Sequence, residues 1–100
     1  MDIQVEELKD KIDAEEKFTL IDVRESHERA EFNVGGTHIP LGNIPASIDG
    51  LGEDKEQEIV IYCRSGARSG HATAFLQQLG FKNVRNLAGG MLEWSRKFGS

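Results

Sequence analysis

Apolar residues in this chain of 100 residues change their spacing from segment to segment, and each spacing predicts an element. Over residues 5–12 they recur every three or four positions among charges, which predicts a short amphipathic helix. The runs FTLIDV (18–23) and EIVIYC (58–63) are instead mostly apolar and β-branched, as is typical of strands buried on both faces. The sequence therefore predicts a helix near the N-terminus, with Ile3 before it, and at least two strands of an internal sheet.

The rest of the chain continues this alternation. The predicted segments are a helix in ESHERAEF with Ser26 as N-cap, a short strand at His38 and Ile39, a weak helix over 45–51, a helix over 69–79 stopped by Gly80 at C′, a strand over 83–87 and a helix over 90–98. Strands alternating with helices predict a mostly parallel sheet that is covered on both faces. In such sheets ligands bind at the carboxyl ends of the strands, where Cys63 is expected.

Composition places these elements in one domain over residues 1–100, because 38% hydrophobic residues suffice for a single core. Seventeen acidic residues against twelve basic ones give a net charge of −5, which argues against a nucleic-acid partner. The N-terminal MDIQVEELKD is acidic and unlike a signal peptide, and no apolar run is long enough to cross a membrane. We therefore expect a cytoplasmic protein with no membrane partner. No cofactor is indicated.

The single cysteine, Cys63, cannot form an internal disulfide or a thiolate-rich metal site. Taken alone, a cysteine at the end of an apolar strand is typical of core packing. The residues after it change this interpretation; they are Arg64, Ser65, Gly66, Ala67, Arg68 and Ser69. A loop that enters a helix turns several N–H groups and the positive end of the helix dipole toward one point, which stabilises a thiolate.

Two residue types in this loop indicate an anionic ligand. Gly66 can adopt a positive φ, which lets the backbone curl around the sulfur. Arg64 and Arg68 carry planar, permanently charged donors suited to an oxyanion. The alternative for each arginine is an ion pair with a nearby carboxylate on the surface.

Four motifs resemble one family. YCRSGARS is similar to the active-site loop of single-domain rhodaneses, which are sulfurtransferases with the pattern C-x-x-G-x-R after a strand. IDVRE (21–25), THIP (37–40) and LAGGMLEW (87–94) resemble three further motifs of that family, in the same order and at similar spacing. The resemblance covers almost the whole chain.

The resemblance implies a three-layer α/β/α fold with a five-stranded parallel sheet in the order 3-2-4-5-1 and a catalytic loop after strand 4. It implies that Cys63 takes a sulfur atom from a small anionic donor such as thiosulfate, becomes a persulfide, and passes the sulfur to cyanide, a thiol or a protein. The amides of residues 64–69 would cradle that sulfur, and Arg64 and Arg68 would hold the leaving sulfite. A protein could also serve as the donor.

Two residues outside the loop are expected to support the site. Asp22 and Arg24 match the family's D-x-R. We expect Arg24 to pair within the scaffold, for instance with Glu25 or Glu31, and Asp22 to support the loop by hydrogen bonding from the end of its strand.

The other candidate side chains are expected to have no part in the chemistry. His38 matches a structural position of the family, His27 lies on a polar helical stretch, and Trp94 is expected in the core. His71 lies on the helix after the loop, where we expect a solvated side chain; the alternative is that it tunes the local field.

One segment departs from the family pattern. In GGTHIPLGNIP, Leu41 and Gly42 replace the usual small residues after the first proline. A similar IPLG segment occurs in rhodanese domains fused to enzymes that activate sulfur carriers, which favours a protein acceptor.

Three other functions compete with sulfur transfer. A phosphatase or arsenate reductase also places cysteine and arginine at a helix N-terminus, but tyrosine phosphatase loops read C-x5-R and this loop reads C-x4-R. A non-catalytic interaction module would not need the cysteine. A redox sensor would normally want a resolving cysteine, which this chain lacks.

Overall fold

The computed structural model describes residues 2–99, which form a five-stranded sheet with helices on both faces. The strands are β1 Asp2–Ile3, β2 Thr19–Asp22, β3 Thr37–His38, β4 Ile59–Tyr62 and β5 Val84–Leu87. The α-helices are α1 Val5–Asp13, α2 Ser26–Glu31, α3 Ala67–Gln78 and α4 Gly90–Phe98, and two 3₁₀ helices span Leu41–Asn43 and Pro45–Leu51.

The sheet is parallel throughout, and its strands lie in the order β1-β5-β4-β2-β3. This is the order 3-2-4-5-1 read from the other edge, so the predicted fold class is confirmed. In the centre of the sheet Ile61 of β4 lies opposite Ile21 of β2 and Asn86 of β5. The segment that follows β4 therefore leaves the sheet with a strand on each side of it.

The central strand β4 explains why both faces of the sheet are covered. Its four residues are all fully buried, and they alternate between two apolar clusters. Ile59 and Ile61 pack against α3 and the segment after β3, whereas Val60 and Tyr62 pack against α1 and α4. A strand with apolar side chains on both sides cannot face water, which is why its sequence is continuously apolar.

The predicted starts of α2 and β3 were each wrong by one residue. The N-cap of α2 is Glu25 rather than Ser26, because Glu25 and Glu28 form a reciprocal capping box in which Glu28 accepts the N–H of Glu25 at 2.9 Å. The short strand β3 begins one residue before the predicted position.

Helix α3 begins at Ala67, two residues earlier than predicted, because Gly66 serves as its N-cap in a left-handed conformation. Arg68 and Ser69 thus belong to the first turn of a helix. At its other end the predicted stop is confirmed: Gly80 has φ +97°, and the N–H of Phe81 bonds the carbonyl of Leu76.

Within residues 2–99, no helix combines the length and the apolar character needed to cross a lipid bilayer.

Candidate active site

Cys63 follows β4 directly and is almost fully buried, with 1% of its surface exposed. Its sulfur nevertheless faces the loop. The sulfur accepts the backbone N–H of Gly66 at 3.1 Å and that of Ser69 at 3.4 Å, and the Ser69 hydroxyl lies 3.3 Å away. Core packing alone would not turn the sulfur toward three donors, so the geometry agrees with a ring of donors around Cys63.

The electrostatic balance at the sulfur favours the thiolate. Burial alone would raise the pKa of the Cys63 thiol, because a charge is costly away from water. The hydrogen bonds from the Ser69 hydroxyl and from the N–H groups of Ser69, Gly66 and Ser65 outweigh burial, and the pKa of Cys63 lies below its ordinary value. A reactive cysteine needs this balance, since the thiolate is the nucleophile.

The loop can take this shape because of Gly66. Its φ of +102° lies in the left-handed region, which an L side chain rarely adopts. The prediction of a positive φ at this position is therefore confirmed. The turn brings the N–H of Gly66 back toward the sulfur three residues earlier in the chain.

The N-terminus of α4 holds the loop from the other side. The N–H of Met91 donates to the carbonyl of Cys63, and the N–H of Leu92 donates to that of Arg64, both at 2.9 Å. This close approach requires Gly90, since a Cβ there would lie 2.5 Å from both carbonyl oxygens. The second glycine of the LAGGMLEW motif thus lets a helix dock on the loop that follows Cys63.

Arg68 does not extend freely from the loop. Its guanidinium donates two bonds of 2.7 Å to the two carboxylate oxygens of Glu28 on α2. This pairing, together with the N–H of Glu25, lowers the pKa of Glu28 to about 2. The ion pair that the sequence left open for each arginine is thus present for Arg68. Glu28 was missed as its partner, although the capping-box spacing of Glu25 and Glu28 was a signal that this carboxylate faces the start of α2.

Arg64 is exposed and lines a cleft of about 440 Å³ between α2, α4 and the loop. The other lining residues of the cleft come from α2, from α4 and from the segments next to α2: His27, Glu28, Glu31, Phe32, Met91, Leu92, Ser95 and Arg24. Leu92 is half exposed (51%) in the described structure. Arg64 therefore borders a cleft whose walls carry both charged and apolar side chains.

Asp22 and Arg24 form a buried ion pair with each other. Arg24 donates through Nε and Nη2 to the two oxygens of Asp22 at 3.0 and 2.9 Å, and Arg29 adds a bond of 3.2 Å. The predicted pairing of Arg24 with Glu25 or Glu31 is wrong, because the fully buried carboxylate of Asp22 needs a charged partner more than those exposed residues do.

The predicted hydrogen bond from Asp22 to the loop is wrong: among the described residues its carboxylate accepts from Arg24 and Arg29 and from none of residues 64–69, so it organises the segment after β2 instead. Both of its oxygens receive arginine donors, and Arg24 also bonds the carbonyl of Phe32 at 2.7 Å. His38, which bonds the carbonyl of Arg24 at 2.7 Å, belongs to the same network. These contacts hold α2 and β3 in place and contribute to the site through Glu28 and the walls of the cleft.

Asn86, a residue without a predicted role, lies beside the loop. From the end of β5 its amide donates to the carbonyl of Gly66 at 3.1 Å, and its carbonyl oxygen lies 2.5 Å from the Ser69 hydroxyl. A signal existed in the sequence: Asn86 is an uncharged polar residue near the carboxyl end of the strand beside β4, and ligands bind at that end of the strands in parallel sheets.

The remaining aromatic candidates have the positions expected of them. Trp94 is 8% exposed and packs in the core, with its ring edge-on to Phe98. His27 and His71 are exposed, and His71 borders a separate apolar cleft with Phe75.

Comparison with known proteins agrees with the fold. The family described as the rhodanese-like domain matches residues 4–97. The protein named "Putative sulfurtransferase YtwF" of Bacillus subtilis (strain 168) is 45% identical over 94 residues, which cover 93% of this chain and 88% of that protein.

Two further relatives differ in how much of their length this chain covers. The "Putative sulfur carrier protein YrkF" of the same bacterium is 38% identical over 97 residues, but the match covers 96% of this chain and only 51% of that protein. The structure of the human single-domain sulfurtransferase TSTD1 superposes with a TM-score of 0.79 at 28% identity, covering 96% of each chain.

Proposed function

The chain belongs to the rhodanese-like family, and on this premise we propose that it is a sulfurtransferase in which Cys63 carries the transferred sulfur as a persulfide. The observation that supports this most directly is the convergence of the Gly66 and Ser69 N–H groups and the Ser69 hydroxyl on the Cys63 sulfur. Donors in this arrangement stabilise a negative sulfur without a separate general base.

The first half-reaction is a displacement at sulfur. The Cys63 thiolate attacks the outer sulfur of thiosulfate, a new S–S bond forms, and the old S–S bond breaks with its electron pair on sulfite. The products are a cysteine persulfide anion and sulfite, so the total charge is conserved. Arg64 is the exposed guanidinium at the mouth of the loop, and we assign to it the binding of the anionic donor.

The second half-reaction returns the thiolate. An acceptor nucleophile, cyanide in an assay or a thiol, attacks the outer sulfur of the persulfide, and Cys63 leaves as a thiolate. The same hydrogen bonds that favour ionisation in the first step make Cys63 a good leaving group in the second. The name of the relative YrkF, a sulfur carrier, supports a protein thiol as the acceptor in the cell.

The site fits a single sulfur atom better than a tetrahedral oxyanion. The Cys63 sulfur lies within 3.4 Å of its backbone donors, and the residue is almost fully buried. A phosphate bound over the sulfur would need the amides to open around three oxygens. The arginine that ends the C-x4-R segment is moreover paired with Glu28.

The intact mass of the protein after incubation with thiosulfate tests this proposal. We expect one added sulfur atom, which cyanide removes as thiocyanate, and we expect the Cys63→Ser variant to gain none. A Ser47→Ala variant is the control for the effect of a substitution as such, because Ser47 lies on the 3₁₀ helix Pro45–Leu51 and not in the loop of residues 64–69. It should gain one sulfur atom as the parent does. Hydrolysis of p-nitrophenyl phosphate without sulfur uptake would instead favour a phosphatase, and inactivity toward several sulfur donors would favour an interaction module.

A further inference from the structure

Three polar groups from three different elements meet beside the Cys63 sulfur. Ser69 is fully buried in the first turn of α3, Asn86 lies on β5, and Cys63 follows β4. The Ser69 oxygen lies 3.3 Å from the sulfur and 2.5 Å from the carbonyl oxygen of Asn86. The hydroxyl is thus placed between two acceptors.

A serine hydroxyl has one hydrogen, so it cannot donate to both acceptors fully at once. The orientation of Asn86 is set by its other contact, because its amide nitrogen donates to the carbonyl of Gly66 at 3.1 Å. That nitrogen also packs against Gly70, where a Cβ would approach it to 3.4 Å. The carbonyl oxygen of Asn86 is therefore held toward Ser69, and it competes with the sulfur for the single hydrogen.

We propose that Asn86 is a positioning residue for Cys63. Its carbonyl oxygen accepts the hydrogen of the Ser69 hydroxyl while the sulfur is a thiol, and the hydroxyl donates to the sulfur instead when the sulfur becomes negatively charged. This inference rests on the proposed function, since it concerns how the same sulfur is made reactive. A neutral thiol is a weak acceptor, so the hydrogen bonds Asn86. A thiolate is a strong one, and rotation of the hydroxyl redirects the hydrogen to it.

Such a shared hydrogen suits a cysteine that must act both as nucleophile and as leaving group. A donor fixed permanently on the sulfur would lower the pKa of Cys63 further, but it would also weaken the thiolate as a nucleophile. With Asn86 as competitor, the hydroxyl stabilises the thiolate less than an uncommitted donor would. The backbone N–H groups of Gly66 and Ser69 remain as constant donors.

The charged surroundings of Cys63 are simple enough for this effect to be measured. Arg68 on α3 interacts electrostatically with Cys63, and it is paired with Glu28 from α2. Arg64 follows Cys63 on the loop. Helix α4 meets the loop with its backbone at Met91, and β5 presents the neutral Asn86.

The test is the effect of Ser69→Ala on the pKa of Cys63 in two backgrounds, measured from thiolate absorbance and from the pH dependence of alkylation. Ser69→Ala removes the shared hydrogen and raises this pKa. In an Asn86→Leu background the hydroxyl has lost its competitor, so we expect Ser69→Ala to raise the pKa of Cys63 by about one unit more than it does in the parent. An equal rise in both backgrounds would overturn the proposal.

An Asn86→Asp variant strengthens the competing acceptor that Asn86→Leu removes, and it provides a second test. A carboxylate there holds the hydrogen more strongly and places a negative charge near the sulfur, so we expect the pKa of Cys63 to rise by about one unit. Asn83→Asp introduces the same charge on an exposed residue just before β5, and should leave the Cys63 pKa unchanged.

One measurement needs no substitution at Asn86. The side-chain amide resonance of Asn86 should shift as Cys63 ionises, and this shift should disappear in Ser69→Ala. An amide resonance that ignores the titration would contradict the proposal. All these titrations are made without a sulfur donor, so their outcome is independent of whether the protein transfers sulfur.

Discussion

At the scale of single residues, the two arginines of the loop differ in what they contact. Both of the terminal nitrogens of Arg68 are bonded to Glu28, and a third of its side chain is exposed. Arg64 is exposed at the cleft. Arg68 thus forms an ion pair that connects α3 to α2, whereas Arg64, four positions earlier, lines an open cleft.

This difference predicts that two alanine substitutions affect different properties, one the stability of the fold and the other the binding of thiosulfate. Arg68→Ala leaves the partly buried Glu28 without its partner, so we expect a loss of about 1–2 kcal/mol in the free energy of unfolding. Arg64→Ala removes an exposed side chain, so we expect little loss of stability but a several-fold rise in KM for thiosulfate. Urea unfolding of both variants measures the loss of stability, and steady-state kinetics measure KM for thiosulfate. Equal stability of the two would contradict the assigned role of Arg68.

At the scale of elements, the site depends on the docking of α4 against the loop. Gly90 has a φ of +57°, and a Cβ there would lie 2.5 Å from the carbonyl oxygens of Cys63 and Arg64. These atoms are backbone, so they cannot turn aside as a flexible side chain would. The helix reaches the loop only because this position has no side chain.

Gly90→Ala should therefore separate α4 from the loop. We expect a destabilisation of about 2–4 kcal/mol, from the steric overlap and from the left-handed backbone. Sulfur uptake by Cys63 should fall as well, because the loop loses the two N–H donors from α4. Gly50→Ala is the matched control: nothing lies within 4 Å of a Cβ there and its φ is not positive, so the protein should keep its stability and activity. Similar thermal unfolding of the two variants would refute this account.

The elements themselves were largely predictable from the sequence, because their apolar residues follow the spacing that burial imposes. The continuously apolar run of β4 predicts a strand covered on both faces, and the glycine at position 80 predicts the end of α3. The position of Gly66 likewise predicts the turn around the sulfur.

The contacts between elements could not be predicted in this way. Asn86 reaches Ser69 across 17 positions of the chain, and Arg68 reaches Glu28 across 40. Periodicity describes one element at a time and carries no information on which polar side chains from different elements meet. The resemblance implied a substrate contact for Arg68 because it compares motifs one by one, and Glu28, the partner of Arg68 in the structure, lies outside all four motifs.

At the scale of the whole molecule, ion pairs connect the elements around the site. Arg24 and Arg29 bond Asp22 at the end of β2, and Arg68 connects α3 to Glu28 on α2. Burial would raise the pKa of Asp22, but the hydrogen bonds from these arginines lower it overall. The pKa of Glu28 is lowered to about 2, with its bond to Arg68 as the largest cause.

These lowered pKa values predict how stability depends on pH. A carboxyl group with a lower pKa in the folded than in the unfolded chain stabilises the fold above the unfolded pKa, and this contribution is lost as pH falls toward the folded one. For Glu28 the window runs from about 4.5 down to about 2. Glu28→Gln should cost about 1–2 kcal/mol at neutral pH, and its stability should converge with that of the parent near the lower end of the window. Glu53→Gln, at an exposed position, should follow the parent at every pH. Urea unfolding across this range measures the free energy of unfolding of all three proteins. If the difference in free energy between the parent and Glu28→Gln stays constant down to the lower limit, the pair with Arg68 is not what lowers the pKa of Glu28.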